Sequence, residues 1–193
     1  MSSYENGNCK FPVFVKPRTG SGSVGARKVD DYDELKTICN HRKDLIIQDY
    51  MDGDDLDADV YIDTISHKAV SIFTKRKLET KIGGANKTIS FKDKKLFELI
   101  EEIVSHFKFN GPIDMDFFYK DGEYYLSEIN PRFGGAYLHA YGCGVDFIKL
   151  ILNNLKGIEN QPEFGNYKDG MLMIMYDSVI FRSKDELAGS SIF

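Results

Sequence analysis

Four side chains in "DMDFFYKDGEYYLSEINPR" (residues 114–132) have the types and spacing of a cation and phosphate site. Asp116 lies in one candidate strand and Glu128 in the next, with Asp121-Gly122 between them as a strong hairpin signal. In an antiparallel hairpin two such carboxylates face each other, provided that parity and register agree. Glu128 and Asn130 are two apart on one strand and so share its face. Two carboxylates and an amide oxygen are hard ligands, suited to magnesium that also touches substrate phosphates. Arg132 follows at once, and its planar fork of donors suits a terminal phosphate. The competing reading is a solvated sheet face. Met115, Phe117, Tyr125, Leu126 and Ile129 argue against it, because carboxylates in so apolar a hairpin are costly without a cation.

A second constellation lies a hundred residues earlier. "FVKPRTGSGSVGARKV" contains G-x-G-x-x-G at Gly20, Gly22 and Gly25. A dinucleotide fold needs its third glycine to open a helix, yet Ala26-Arg27-Lys28-Val29 follows and the next helical pattern begins near Asp31. A Walker loop needs lysine after its last glycine, where Ala26 stands, and the kinase strings H-R-D and D-F-G are absent. What remains is a flap between two short strands, with Lys16 on the first. Backbone N–H groups of such a flap can cradle phosphate and Lys16 can add a point charge, although a plain Gly/Ser hairpin has the same pattern.

These residues need elements to hold them. "FPVFVKP" and "ARKV" read as strands around the flap, and "DLIIQDYM" as another. "DDYDELKTICNHR" reads as a helix capped by Asp31, with Glu34 at capping-box spacing. "LDADVYID" and "AVSIFTKRKL" alternate as half-buried antiparallel strands. "KDKKLFELIEEIVSHFKF" is the clearest helix, with Leu96, Ile100, Ile103 and Phe107 on one face and Phe97 and Val104 beside them. A turn at Gly134-Gly135 leads to a helix through "DFIKLILNNLKG", and "GMLMIMYDSVIF" closes as a strand. Strands and helices in this order favour an α+β fold in two lobes with mostly antiparallel sheets.

The chain has 193 residues, 42% of them hydrophobic, enough for a substantial core. A net charge of −5 argues against a general nucleic-acid binder. Cys9, Cys39 and Cys143 fit no C-x-x-C spacing and read as reduced thiols. With no long apolar run and a polar start, the expectation is a cytoplasmic protein without membrane or nucleic-acid partners.

"FPVFVKPRTGSGSVGARKV", "IIQDYMDGDDLDADVYID", "TKRKLETKIGG" and "GPIDMDFFYKDGEYYLSEINPRFGG", in that order, resemble the ATP-grasp superfamily over about residues 11–155. The most specific string is E-I-N-P-R-F-G-G. The pattern is most similar to the branch containing carbamoyl phosphate synthase large subunits and carboxylate–amine ligases. The resemblance implies two lobes with ATP between them: a lead-in over 1–10, a small lobe with the flap over 11–52, and a large lobe over 53–193. It implies an ATP-dependent ligase that phosphorylates a carboxylate or bicarbonate, so that an amine or similar nucleophile attacks the acyl phosphate. Lys16 then contacts the α/β-phosphates beneath a flap of Gly20, Ser21, Gly22, Ser23, Val24 and Gly25. Gln48, Asp49, Tyr50 and Met51 form the hinge that reads adenine, and Asp55 takes the ribose hydroxyls. Lys75 and Lys77 lie near the triphosphate or substrate, and Arg132 near the γ-phosphate. Asp116, Glu128 and Asn130 hold magnesium, two ions with manganese as a substitute.

The family normally has another domain before this region, so the expected partners include a companion subunit or missing domain, the small-molecule substrates, and a homodimer. A non-catalytic nucleotide-binding module is the other reading. Asp52, Asp54, Asp57 and Asp59 read as solvated, since the run fails the calcium-loop pattern at Val60 and Ser66. His139 is a candidate for the substrate pocket, and Tyr137 and Tyr141 for packing between the lobes.

Overall fold

The computed structural model describes residues 10–20, 22–81, 84–181 and 183. Cys9 and Ser21 lie outside them. Alternation in "VFVKP" builds the first strand, β1 (Val13–Pro17), with Val13 and Val15 buried and Lys16 on the opposite face. It pairs antiparallel with β2 (Arg27–Val29) and β3 (Leu45–Asp49), in the order β2-β1-β3. Helix α1 (Tyr32–His41) covers the sheet, placing Leu35, Ile38 and Cys39 on Val13, Val15 and Val29. Its start matches the expectation. The Glu34 N–H donates to Asp31 Oδ1 at 2.9 Å, while Glu34 Oε2 accepts from the Asp30 N–H rather than from the cap residue itself.

The chain then enters a seven-stranded sheet. Its strands are β4 (Asp54–Ile62), β5 (Ala69–Lys81), β6 (Gly84–Phe91), β7 (Gly111–Lys120), β8 (Glu123–Asn130), β9 (Glu163–Phe164) and β10 (Leu172–Ile174). The order is β10-β6-β5-β4-β7-β8, all antiparallel, and β9 pairs parallel with β5. One face carries Leu56, Ala58, Val60, Ile113, Met115 and Phe117 against Leu96, Ile100 and Val104 of helix α2 (Lys94–Ser105). Burial of those three helix residues contributes on the order of 2 kcal/mol each. The upper part of the other face is also apolar. There Tyr61, Val70 and Phe73 lie under helices α3 (Tyr137–Gly142) and α4 (Phe147–Leu155), with Ala140, Phe147 and Tyr167. The lower part of that face is charged.

Several elements differ from expectation. β4 is buried on both faces, because its acids are covered along with its apolar residues. α2 stops at Ser105, so Phe107 is 53% exposed and packs on Phe109 instead of the sheet. β6 and α3 are additional to the elements expected from sequence. The closing strand holds only over Leu172–Ile174, with one further bond from Met175 N–H to Asn86 O. Beyond it Tyr176, Val179, Ile180 and Phe181 run on exposed. Tyr137 does not bridge the two sheets. Its hydroxyl accepts from Phe147 N–H at 2.7 Å and donates to Val145 O, within the large unit.

Candidate functional site: a charged row met by a strand lysine

Register alone assembles the site. On the charged face Ser90, Lys75, Asp57, Asp116 and Glu128 stand side by side across β6, β5, β4, β7 and β8. The next row up is Phe73, Asp59, Asp114 and Asn130. Asp116 is thus opposite Glu128, but the turn by itself does not put it there. The Asp121-Gly122 turn, both residues at positive φ, pairs Lys120 with Glu123 and Phe117 with Leu126. Continued unbroken, that register would set Asp116 against Ser127 and turn Glu128 to the helix side. A bulge between Leu126 and Glu128 absorbs one residue and brings Glu128 and Asn130 onto the face of Asp116.

The charges then interlock. Lys77 Nζ donates to Asp116 Oδ1 at 2.6 Å and lies 2.9 Å from Asp55 Oδ1. Lys75 has no exposed surface. It donates to Asp59 and lies 3.1 Å from Asp57 Oδ1, within ion-pair range but without hydrogen-bond alignment. Burial alone would pull both lysines down, but the carboxylates around them hold both above the ordinary range. Burial pushes Asp59, Asp114 and Asp116 upward. For Asp114 the adjacent Asp57 carboxylate adds to this and Arg132 opposes it. Arg132 Nη1 donates to Asp114 Oδ2 at 2.7 Å. From the three-stranded sheet, Lys16 Nζ reaches across to Glu128 Oε2 at 2.9 Å.

The other expected residues fall around this row. The flap joins β1 to β2. Gly22, Ser23 and Gly25 have positive φ, the Ala26 N–H donates to Ser23 O, Gly20 precedes them at φ 146°, and Val24 is 78% exposed at the tip. Gln48 and Asp49 end β3, and Tyr50 and Met51 lead to β4 as the link between the two sheets. Gly53 in that link passes so close to β7 that a Cβ there would lie 2.4 Å from Tyr119 O. Lys75, expected near the triphosphate or substrate, is fully buried among acids. His139 is buried beside Phe73 and hydrogen-bonds Thr88, while Tyr141 is exposed.

Asp57 and Asp59, read as solvated, are 5% and 1% exposed, and Asp114 had no assigned part. The signal was present: acids at 55, 57 and 59 alternate along one strand just as lysines at 75 and 77 do on the next. Asp57, Asp59 and Asp114 bring oxygens within 4.8 Å of one another, but Lys75 and Arg132 counter them from inside the chain. The open acids are Asp55, Asp116 and Glu128, with side chains 38%, 26% and 48% exposed. Asp55, Asp57, Asp59, Asp114, Asp116 and Glu128 against Lys16, Lys75, Lys77 and Arg132 make six acids to four bases, a surplus of acidic groups. A divalent cation at the hard oxygens of Asp116, Glu128 and Asn130 fits that surplus.

Comparison with known proteins agrees with this architecture. The family model of the ATP-grasp domain matches residues 2–136. Among solved structures, the biotin carboxylase domain of Hydrogenobacter thermophilus 2-oxoglutarate carboxylase, in complex with MgADP, ADP and bicarbonate, superposes with a TM-score of 0.71 at 16% identity, over 89% of this chain and 42% of that one. N5-carboxyaminoimidazole synthetase from Staphylococcus aureus complexed with ADP gives 0.65 at 17% identity, over 84% and 44%. D-alanine–D-alanine ligase from Bacillus anthracis complexed with ATP gives 0.52 at 22% identity, over 76% and 52%. The chain thus spans about half, or less, of the length of each. No curated protein sequence matches it. No helix of the described residues is long and apolar enough to cross a membrane. With the family model covering more than half of its length and its two antiparallel sheets arranged as described, the chain belongs to the ATP-grasp family.

Proposed function

We propose that this chain is the magnesium- and ATP-binding part of a ligase that phosphorylates a carboxylate or bicarbonate, forming an acyl phosphate for attack by an amine or similar nucleophile. The observation that carries the reading is the convergence of Asp116, Glu128 and Asn130 on one face, with Lys16 reaching them from the opposite sheet. Asp116, Glu128 and Asn130 would hold magnesium, which when bound neutralises charge on the phosphates during transfer. Lys16 leaves Glu128 to bind the α/β-phosphates, and Arg132 binds the γ-phosphate with donors that Asp114 does not use. Lys77 aligns Asp116 with Asp55, which takes the ribose. Lys75 acts from below as the counter-charge of Asp57 and Asp59. Gly20–Gly25 close over the phosphates and exclude water from the acyl phosphate. Gln48–Met51 offer backbone groups to adenine. Two ions, replaceable by manganese, a cytoplasmic location, the carbamoyl-phosphate-synthase-like branch and a companion subunit or second copy complete the proposal.

The test is thermal unfolding with Mg·ATP. A ligand at 100 times its Kd adds about 2.7 kcal/mol to stability. Glu128→Gln is expected to lose most of the magnesium-dependent rise in Tm; an undiminished rise removes the metal assignment. ADP release with a panel of amino acids, amines and bicarbonate separates turnover from binding alone.

A further inference from the structure

Arg132 leaves β8 through a tight turn, its N–H donating to Asn130 O at 2.8 Å across Pro131. Its Nη1 then donates twice, to Asp114 Oδ2 at 2.7 Å and to Phe133 O at 2.9 Å. One nitrogen of the guanidinium is therefore committed to the protein, while the side chain is still 56% exposed. Asp114 is its opposite, with a side chain 8% exposed. It stands level with Asn130 on one side and Asp59 on the other. Its second oxygen, Oδ1, lies against Gly134. A Cβ there would be 2.7 Å from Asp114 Oδ1 and 2.6 Å from Asp59 Oδ1. Behind them Lys75 holds Asp59. The carboxylate of Asp114 is thus wedged between the turn backbone and a buried ion pair, and its free movement is small.

We propose that Asp114 is a positioning residue: it grips one guanidinium nitrogen of Arg132 so that the remaining donors stay aimed beside Asn130 and Asp116, where a transferable phosphate is held. A free arginine samples many rotamers, and orienting it before the ligand arrives removes that cost from binding and transfer. Gly134 belongs to the same device, since a side chain there would drive the carboxylate off the arginine. The inference rests on the functional reading above, in which Arg132 meets the γ-phosphate.

The experiment is a double-mutant cycle on the whole chain, read by calorimetric titration with Mg·ADP and with the magnesium complex of β,γ-imido-ATP. Asp114→Ala is expected to weaken the imido analogue roughly tenfold, the size of one charge-assisted hydrogen bond, and to leave ADP within about twofold. Arg132→Ala should do the same, and the double variant should be no worse than Arg132→Ala alone. Asp114→Asn keeps a carbonyl for Nη1 and should recover most of the loss. Asp114→Leu, which fills the space without a charge, replaces the alanine variant if that one fails to fold. Equal losses for both nucleotides, additive losses, or no loss at Asp114 while Arg132→Ala shows one, would each overturn the positioning role. If Arg132→Ala itself changes neither nucleotide, the γ-phosphate reading has failed and the positioning role falls with it.

Discussion

At the residue scale the site is a balance of charges that only partners make tolerable. A lysine with no exposed surface and three carboxylates at 5% exposure or less coexist because each lies beside an opposite charge. Lys16 is different, since its partner Glu128 is half exposed and the pair spans the two sheets. Such a pair separates at little cost and leaves the ammonium for phosphate. Lys16→Ala is therefore expected to weaken ATP by roughly tenfold to a hundredfold, the range of a charged hydrogen bond, and to leave adenosine nearly unchanged. Competition binding with the two ligands checks it; equal losses would remove Lys16 from the phosphates. The partly exposed members of this balance, Asp55, Asp116, Glu128 and Arg132, are legible in the sequence, and so are Lys75 and Lys77 as candidates, but not the burial of those two lysines. The burial of Asp57 and Asp59 is not legible in the sequence, because an acidic run reads as solvated unless the lysine that neutralises it is seen on the neighbouring strand.

At the element scale the informative feature is the bulge in β8. The D-G turn sets the pairing of Phe117 with Leu126, and one absorbed residue then puts Ile129 on the helix face and Glu128 and Asn130 on the site face. Deleting Ser127 should leave a straight ladder in which Glu128 still faces Asp116. The deleted protein is thus expected to keep its magnesium-dependent rise in Tm with nucleotide. Loss of that rise in a folded deletion variant would mean that the bulge sets more than register. The hairpin was legible from its turn and its apolar pattern; the bulge was not, because no local residue preference marks it. β6 is not legible for a related reason: its mixed polar residues pack between β5 and β10 and under α3, and only those neighbours make it a strand.

At the scale of the molecule, the charged face needs a rigid base, and a polar clasp at its far end supplies part of it. Asp63 is buried and accepts from the N–H groups of Ile65, Ser66 and Asn160 and from the side-chain amides of Asn154 and Asn160. It ties the β4–β5 turn to the end of α4. Burial alone would raise its pKa, but these donors hold it well below the ordinary carboxylate range. Folded below unfolded means that its stabilisation is present above about pH 4 and is lost as pH falls toward the folded value. Asp63→Asn, which sets an amide donor against amide donors, should cost about 2 kcal/mol at neutral pH. Its stability should also fall less steeply than the wild type's in acid, as read by denaturant unfolding at pH 7 and below pH 4. Parallel acid limbs would remove Asp63 from the acid response.

What sequence by itself determined here was local: the capped helix α1, the apolar stripe of α2, the turn that folds β7 onto β8, and the i, i+2 placement of Glu128 and Asn130. Each follows from spacing within one element, where backbone geometry leaves few alternatives. The tertiary structure decided everything that depends on which strands lie side by side. It enclosed Lys75 among acids, buried Asp57, Asp59 and Asp114, and set Lys16 of β1 against Glu128 from the opposite sheet. The physical reason is that the same carboxylate is a solvated charge, a neutralised core group or an open metal ligand according to neighbours that register and sheet order supply.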